Sequence, residues 1–240
     1  MRPPLLYPLF VGIENLNGIG EKTAKLVRNL TGDKIVDLLW HLPSSIIDRR
    51  YSPRLANARI GSIVTVKIRV LEHIEPKLKK LPYKIVCTDG SEEITLSFFH
   101  AYPETLKRNL PEGSERVISG KLESFNGSLQ MSHPDYVGRP EEMDRIKTVE
   151  AVYPLTGGIT NKMINKYIRQ ALARVPKMPE WLDEHYRQAE GLPAFNEALA
   201  AVHNPQSDAD ILPSAPARRR LAYDEMLANQ LALALVREKV

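Results

Sequence analysis

A single cysteine, Cys87, in 240 residues leaves no partner for an internal disulfide and too few thiolates for a multi-cysteine zinc site. It stands in the apolar run YKIVCTD, where a thiol serves as a small buried hydrophobe and fits a reducing compartment. Long hydrophobic runs are also lacking. No stretch reaches the roughly 20 residues of a membrane span, and prolines break the opening MRPPLLYPLF before a secretory apolar core can form. A cytoplasmic protein with no membrane partner is expected. The phosphate loop G-x-x-x-x-G-K-[ST] is missing: SGKL lacks the first glycine and the hydroxyl, and it lies in a strand pattern. YDEM follows no apolar strand and makes no magnesium-holding box. His41, His73, His100, His133, His185 and His203 show no ligand spacing. Glu92-Glu93 and Glu141-Glu142 read as solvated pairs, and no nucleophile stands beside a base. No catalytic residue, metal ligand or cofactor is therefore expected in this chain, which by itself is not expected to be an enzyme.

What is present is ordinary globular material, 43% hydrophobic and 26% charged. Lys and Arg number 33 against 29 Asp and Glu, so clustering of the cations matters more than their sum. The pattern changes twice along the chain. Residues 1–60 have helical spacing in IGEKTAKLVRNL and DKIVDLLWHL. Residues 61–150 switch to period two, with strands expected at SIVTVKIRVLEHI, YKIVCTD, EEITLSFFH, ERVISGKLESF and SLQMSHPDYV, and a short helix at PETLKRNL. Asn126-Gly127 marks a hairpin between the fourth and fifth strands. Residues 151–240 return to helical spacing in TNKMINKYIRQALARV, PEWLDEHYRQAEG, LPAFNEALAAVH and ARRRLAYDEMLANQLALALVREKV, with NPQSDADILPSAP as a linker. The expected fold is α+β: a five-stranded OB-fold, a Greek-key barrel, flanked by N-terminal and C-terminal helical segments. Other small barrels share that strand count.

Four stretches carry candidate chemistry. In ITLSFFHAYP, alternation puts Ile94, Leu96 and Phe98 on an inner face and Thr95, Ser97 and Phe99 on an outer one. Phe99, with Tyr102 just beyond, is then either covered by another layer or offered to something flat. In EHIEPKLKKLPYK, Lys77, Lys79, Lys80 and Lys84 gather at the turn between the first two strands. Such a tip is either merely solvated or, with Phe125 beside the ESFNGS turn, one edge of a single-strand binding face, where cations hold phosphates and rings stack on bases. In LNGIGEKTAKLVRNL, the amides around Gly18 and Gly20, with Lys22 and Lys25, form either half of a phosphate-holding helix-hairpin-helix or a plain turn. In APARRRLAYDEML, Arg218, Arg219 and Arg220 stand where cations oppose a helix dipole, at about 0.3–1 kcal/mol each when exposed. Asp224 and Glu225, a phosphate or another domain would offset them.

Taken in order, LNGIGEKTAKLV, DLLWHLPSSIIDRR, the strand-rich middle, VYPLTGGITNKMINKYIRQAL, LPAFNEALAAVHNP and ARRRLAYDEMLANQLALALVR resemble the N-terminal part of the RecG family of ATP-dependent DNA helicases. The resemblance implies a wedge domain that binds and splits strands at replication forks and Holliday junctions in DNA repair and recombination. It implies a two-lobed motor, using ATP and Mg2+, as the wedge's partner. That motor normally follows the region matched here, so a fragment without it is expected. In the family an aromatic pair after the third barrel strand stacks on junction bases, which implies that role for Phe99 and Tyr102. LPSSIIDRR departs from the family, which usually has an aromatic and a basic residue where Ser45, Ile46 and Ile47 stand. Two other functions remain open: a structural or protein-interaction domain bracing the motor, and a general single-stranded-DNA-binding OB module.

Overall fold

The computed structural model describes residues 3–78, 80–99 and 102–238. In chain order the helices are α1 (Glu21–Leu30), α2 (Ile35–Leu39), α3 (Pro103–Asn109), α4 (Met143–Ile146), α5 (Asn161–Leu172), α6 (Glu184–Ala189), α7 (Phe195–Val202) and α8 (Pro216–Arg237). The strands are β1 (Ser45–Asp48), β2 (Ile63–Ile74), β3 (Tyr83–Thr88), β4 (Glu93–Phe98), β5 (Glu115–Lys121), β6 (Glu123–Phe125), β7 (Ser128–Ser132), β8 (Tyr136–Gly138) and β9 (Val149–Val152). The chain is α+β and falls into two units, one of residues 47–149 and one of residues 1–46 together with 150–240.

In the first unit, alternating apolar residues of β2 and β3 bury Val64, Val66, Ile68, Val70, Ile85 and Cys87 against Ile94, Leu96, Ile118 and Met131. The seven strands run in the order β6-β7-β4-β3-β2-β5-β8. All neighbours are antiparallel except β4 and β7, which pair Ile94 with Leu129 and Ser97 with Ser132 in parallel. The five expected strand segments are all present, and two of them are subdivided. The fourth breaks at the buried Leu122, whose N–H and C=O leave the ladder to bond Ser62 and Gly61. Its first part pairs with β2 and its second with β7. The fifth breaks after Ser132, where His133 takes a left-handed φ of 46°. Between β5 and β7, Gly120 permits a close approach, since a Cβ there would lie 2.9 Å from Met131 Sδ. Burial pushes the Cys87 thiol up to about 12.

Two details of β4 differ from simple alternation. Ser97 is buried, because β4 is flanked by both β3 and β7 and neighbouring side chains cover so small a residue. Phe98 is only half-buried, packing at the margin of the core with its ring edge toward His133.

The helical regions expected as separate N- and C-terminal domains share one core. Ile13, Val27, Ile35 and Leu38 pack with Tyr153, Ile164, Ile168, Leu199 and Val202. The His203 ring ties the two segments together, with its Nε2 donating to the Leu39 carbonyl at 2.9 Å and its Nδ1 accepting from the Tyr153 hydroxyl at 3.0 Å. Helix starts follow local chemistry. The Thr160 hydroxyl accepts from the Met163 amide before α5, and Asp183 accepts from Tyr186 before α6. PEWLD stays irregular because the Glu180 carboxylate bends back onto the Trp181 and Leu182 amides. The three arginines of α8 are absorbed within this unit. Arg218 donates to the Pro43 carbonyl, and Arg219 pairs with Glu190 at 2.9 Å. Arg220 is fully buried, forked onto Glu180 at 2.8 and 2.7 Å and bonded to Asp224 at 2.8 Å. Asp224 thus offsets a cation as expected, while the larger share falls to Glu180. Among the described residues, no helix is long and apolar enough to cross a membrane.

Candidate nucleic-acid interface

Phe99 follows directly on β4, and its ring is 45% exposed. Its amide donates to His133 Nε2 at 3.0 Å, and its ring stacks on the imidazole with centroids 5.8 Å apart and planes at 27°. The His133 amide in turn donates to the Ser97 carbonyl at 2.9 Å. Because a backbone N–H can only donate, Nε2 must be the acceptor and Nδ1 carries the proton. Tyr102 precedes α3, with its ring 81% exposed and its carbonyl accepting from the Thr105 and Leu106 amides. Pro103 starts that helix, and its missing N–H leaves no orphan donor there.

The lysine turn lies at the same end of β4. Tyr83 pairs with Phe98 and Lys84 with Ser97, so the chain between β2 and β3 turns over beside Phe99. Lys77 and Lys80 are exposed, and Lys84 is half-buried on β3. Lys79 lies outside the described residues. None of Lys77, Lys80 and Lys84 enters an ion pair among the described residues. Glu75, two residues before Lys77, is held by Lys107 at 2.8 Å, and that hydrogen bond keeps its carboxyl below the usual carboxylate range. His73 anchors the base of the turn: Nε2 donates to the Leu110 carbonyl at 2.7 Å and Nδ1 accepts from the Tyr83 hydroxyl at 3.1 Å. The result is a rim of free ammonium groups around an upright ring. That combination suits a phosphate chain with an unstacked base.

Phe125 stands apart from that rim. Its ring is 60% exposed beside the Asn126-Gly127 turn, whose φ values of 50° and 80° are those of the expected tight hairpin. Because β7 runs parallel to β4 and this turn precedes β7, Phe125 sits at the opposite end of β4 from Phe99. At ~3.3 Å per residue, that is roughly 17–20 Å away. A cavity of about 340 Å³ opens there among Ile60, Lys121, Phe125 and Gln130. The adjacent one is lined in part by Glu92 and Glu93, so this end is the less favourable for phosphate.

Gly18, Gly20 and Lys22 belong to the helical unit. Gly18 adopts φ 86°, its carbonyl accepts from the Tyr167 hydroxyl at 3.1 Å, and a Cβ there would fall 2.6 Å from Lys166 Nζ. Asn17 and Gln170 exchange two amide bonds, and Arg174 grips the Asn15 carbonyl. The turn is thus fastened to α5, with Lys22 and Lys166 exposed near it and Glu21 in the first turn of α1 opposing any anion.

Sequence reasoning missed His133, His73, Glu180 and Lys166. A search for ligand spacing passes over the histidines, because their roles depend on backbone groups distant in sequence.

Comparison with known proteins agrees with this architecture. The RecG wedge domain family matches residues 12–175. The ATP-dependent DNA helicase RecG of Bacillus subtilis is 31% identical over 235 residues, covering 94% of this chain and 32% of that protein. That of Aquifex aeolicus is 26% identical over 248 residues, covering 96% and 31%. The chain spans about a third of the length of these relatives. A solved structure of RecG bound to a three-way DNA junction has the same fold, with a TM-score of 0.77 at 23% identity over 96% of this chain and 32% of that one. With the family's wedge region matched across more than half of its residues, the chain belongs to the RecG wedge domain family.

Proposed function

We propose that this chain is the branched-DNA-binding wedge of a RecG-type helicase, engaging replication forks and Holliday junctions during repair and recombination in the cytoplasm. The observation that carries this reading is the half-exposed Phe99 ring. It stands on His133 at the end of β4, beside lysines that form no ion pair among the described residues, in a chain of the wedge family. Phe99 and Tyr102 stack on bases where the duplex parts. Lys77, Lys80 and Lys84, with Lys79, hold the backbone, and Phe125 and the Gly18–Lys22 turn serve as outlying contacts. The seven-stranded sheet is an OB barrel in this reading. One run of chain, β5 followed by β6, supplies partners to both β2 and β7, which is the strand usage that closes five strands on themselves. The partner domains are a motor that binds ATP and Mg2+. The 240 residues hold no phosphate loop, so ATP hydrolysis is no part of the function assigned to this chain.

The test is Phe99→Ala beside Leu96→Ala, whose side chain is fully buried, unlike that of Phe98. Phe99→Ala is expected to weaken fork binding by about 1–3 kcal/mol with an unchanged salt dependence, because a base stack and no phosphate contact is lost. Its melting temperature should hold. Leu96→Ala should lower folding stability by about 2–5 kcal/mol. Wild-type fork affinity in Phe99→Ala would refute the assignment. Equal loss on forks and on single strands of the same length would recast the module as a general single-strand binder.

A further inference from the structure

Resting on the reading of Phe99 as the stacking ring, we propose that His133 is its positioning residue, the side chain that fixes where the ring points before DNA arrives. Phe99 lies just past the last residue of β4, so the sheet ladder does not hold it. Two contacts to one side chain do. The Phe99 amide donates to His133 Nε2 at 3.0 Å, and the two rings stack at 5.8 Å. His133 is itself fixed from three directions: its amide bonds the Ser97 carbonyl at 2.9 Å, the Phe98 ring meets it edge-on at 6.0 Å and 77°, and its backbone is turned to φ 46°. A positive φ is uncommon for a residue with a Cβ and needs support from its surroundings. Here it turns the chain out of β7 towards β8, which pairs with β5. With one face against His133, the Phe99 ring has no second ring stacked on it among the described residues, and the residue is 45% exposed. A base stacking there would extend the imidazole–phenyl pile by one layer, onto a ring whose orientation is already set.

The test separates His133 from Phe99 and from the junction reading itself. The main variant is His133→Asn, because asparagine tolerates left-handed φ and its shorter side chain has neither a ring nor an acceptor at the distance of Nε2. His133→Gln restores an acceptor at about that distance. Without DNA, exchange of the Phe99 amide proton with solvent should accelerate in His133→Asn and slow again in His133→Gln. An unchanged exchange rate in His133→Asn would overturn the proposal whether or not the protein binds DNA. With a three-way DNA junction as probe, Phe99→Ala should bind about 5- to 150-fold more weakly. His133→Asn should bind at least about 5-fold more weakly, and His133→Gln should recover part of that loss. In a Phe99→Ala background, His133→Asn should add less than about 2-fold, since a residue that acts through the ring has nothing left to position. A full His133→Asn loss in that background would mean that His133 touches DNA itself, and would overturn the positioning role while leaving the junction reading intact. A Phe99→Ala variant that binds junctions normally would instead refute the junction reading, and the role of His133 in it.

Discussion

Replacing Arg220 by alanine is expected to destabilise the helical unit by about 2–4 kcal/mol, because it empties the space of a fully buried side chain and removes its charge-assisted hydrogen bonds to Glu180 and Asp224. The guanidinium has no exposed surface. It forks onto Glu180, bonds Asp224 and the Pro193 carbonyl, and lies 5.2 Å over the Trp181 ring, whose Nε1 also donates to Asp224. A second route to the magnitude starts from Glu180. Arg220's hydrogen bonds, helped by the Leu182 and Trp181 amides, pull its carboxyl from 4.5 down to about 2. At 1.36 kcal/mol per unit that difference is about 3 kcal/mol at most, and solvent screening of the partly exposed carboxylate reduces it to roughly 1–2 kcal/mol. A carboxyl depressed in the folded state contributes stability that is complete above about pH 4.5 and is lost as pH falls toward 2. The assay is chemical unfolding followed by tryptophan emission from pH 7 to 3, since Trp40 and Trp181 both lie in the helical unit and are the chain's two tryptophans. Glu180→Gln should lower stability at pH 7 by about 1–2 kcal/mol and remove this part of the acid dependence. Arg219→Ala, next along the chain but exposed with a single Glu190 partner, should change stability by at most about 1 kcal/mol. Arg219→Ala and Arg220→Ala variants of equal stability, or a Glu180→Gln variant with the wild-type acid profile, would refute the assignment of a buried charge network.

Cys87, buried and with its thiol pushed up to about 12, should resist alkylation by iodoacetamide at pH 8 and react only when denaturant opens the sheet unit; labelling of the native protein at the rate of a free thiol would contradict the packing of β3. Changing Lys77 and Lys80 to alanine together should flatten the log-log salt dependence of fork binding by roughly 1–2 units, at about 0.7–0.9 per phosphate contact, and an unchanged slope would place the DNA on another face.

Alternation along β2 and β3 made the sheet legible, because each apolar position there answers to the same core. The breaks in the fourth and fifth segments were not legible. Leu122 leaves its ladder to serve a new strand partner, and His133 turns left-handed, and neither event alters the hydrophobic pattern. Phe99 could be placed outward from period two alone, yet the same rule misplaced Ser97, since a central strand hides small residues on both faces. The arginine triplet announced a charge problem without saying which side chain was buried. Arg220 is the one whose partner, Glu180, lies 40 residues away, beyond the reach of any local pattern. The lysine turn and the Phe125 hairpin looked like one cluster because both flank the expected binding face, and only the parallel β4–β7 pairing reveals that they occupy its opposite ends.

The helical unit is assembled from both sides of an interruption, and this has a kinetic consequence. Residues 1–46 cannot complete their core until residues 150–240 arrive, after about a hundred intervening residues have passed. Closing a flexible loop of that length costs roughly 4 kcal/mol of chain entropy. The sheet unit removes much of that burden if it folds first, because its own ends are tied together, with the Arg49 amide donating to the Thr148 carbonyl at 3.0 Å. Once that bond forms, the two halves of the helical core emerge side by side, and a search across the whole chain becomes a local one. In that case mutations that slow folding of the β-rich insertion should also delay the burial of Arg220 and Tyr153, although neither residue lies within it.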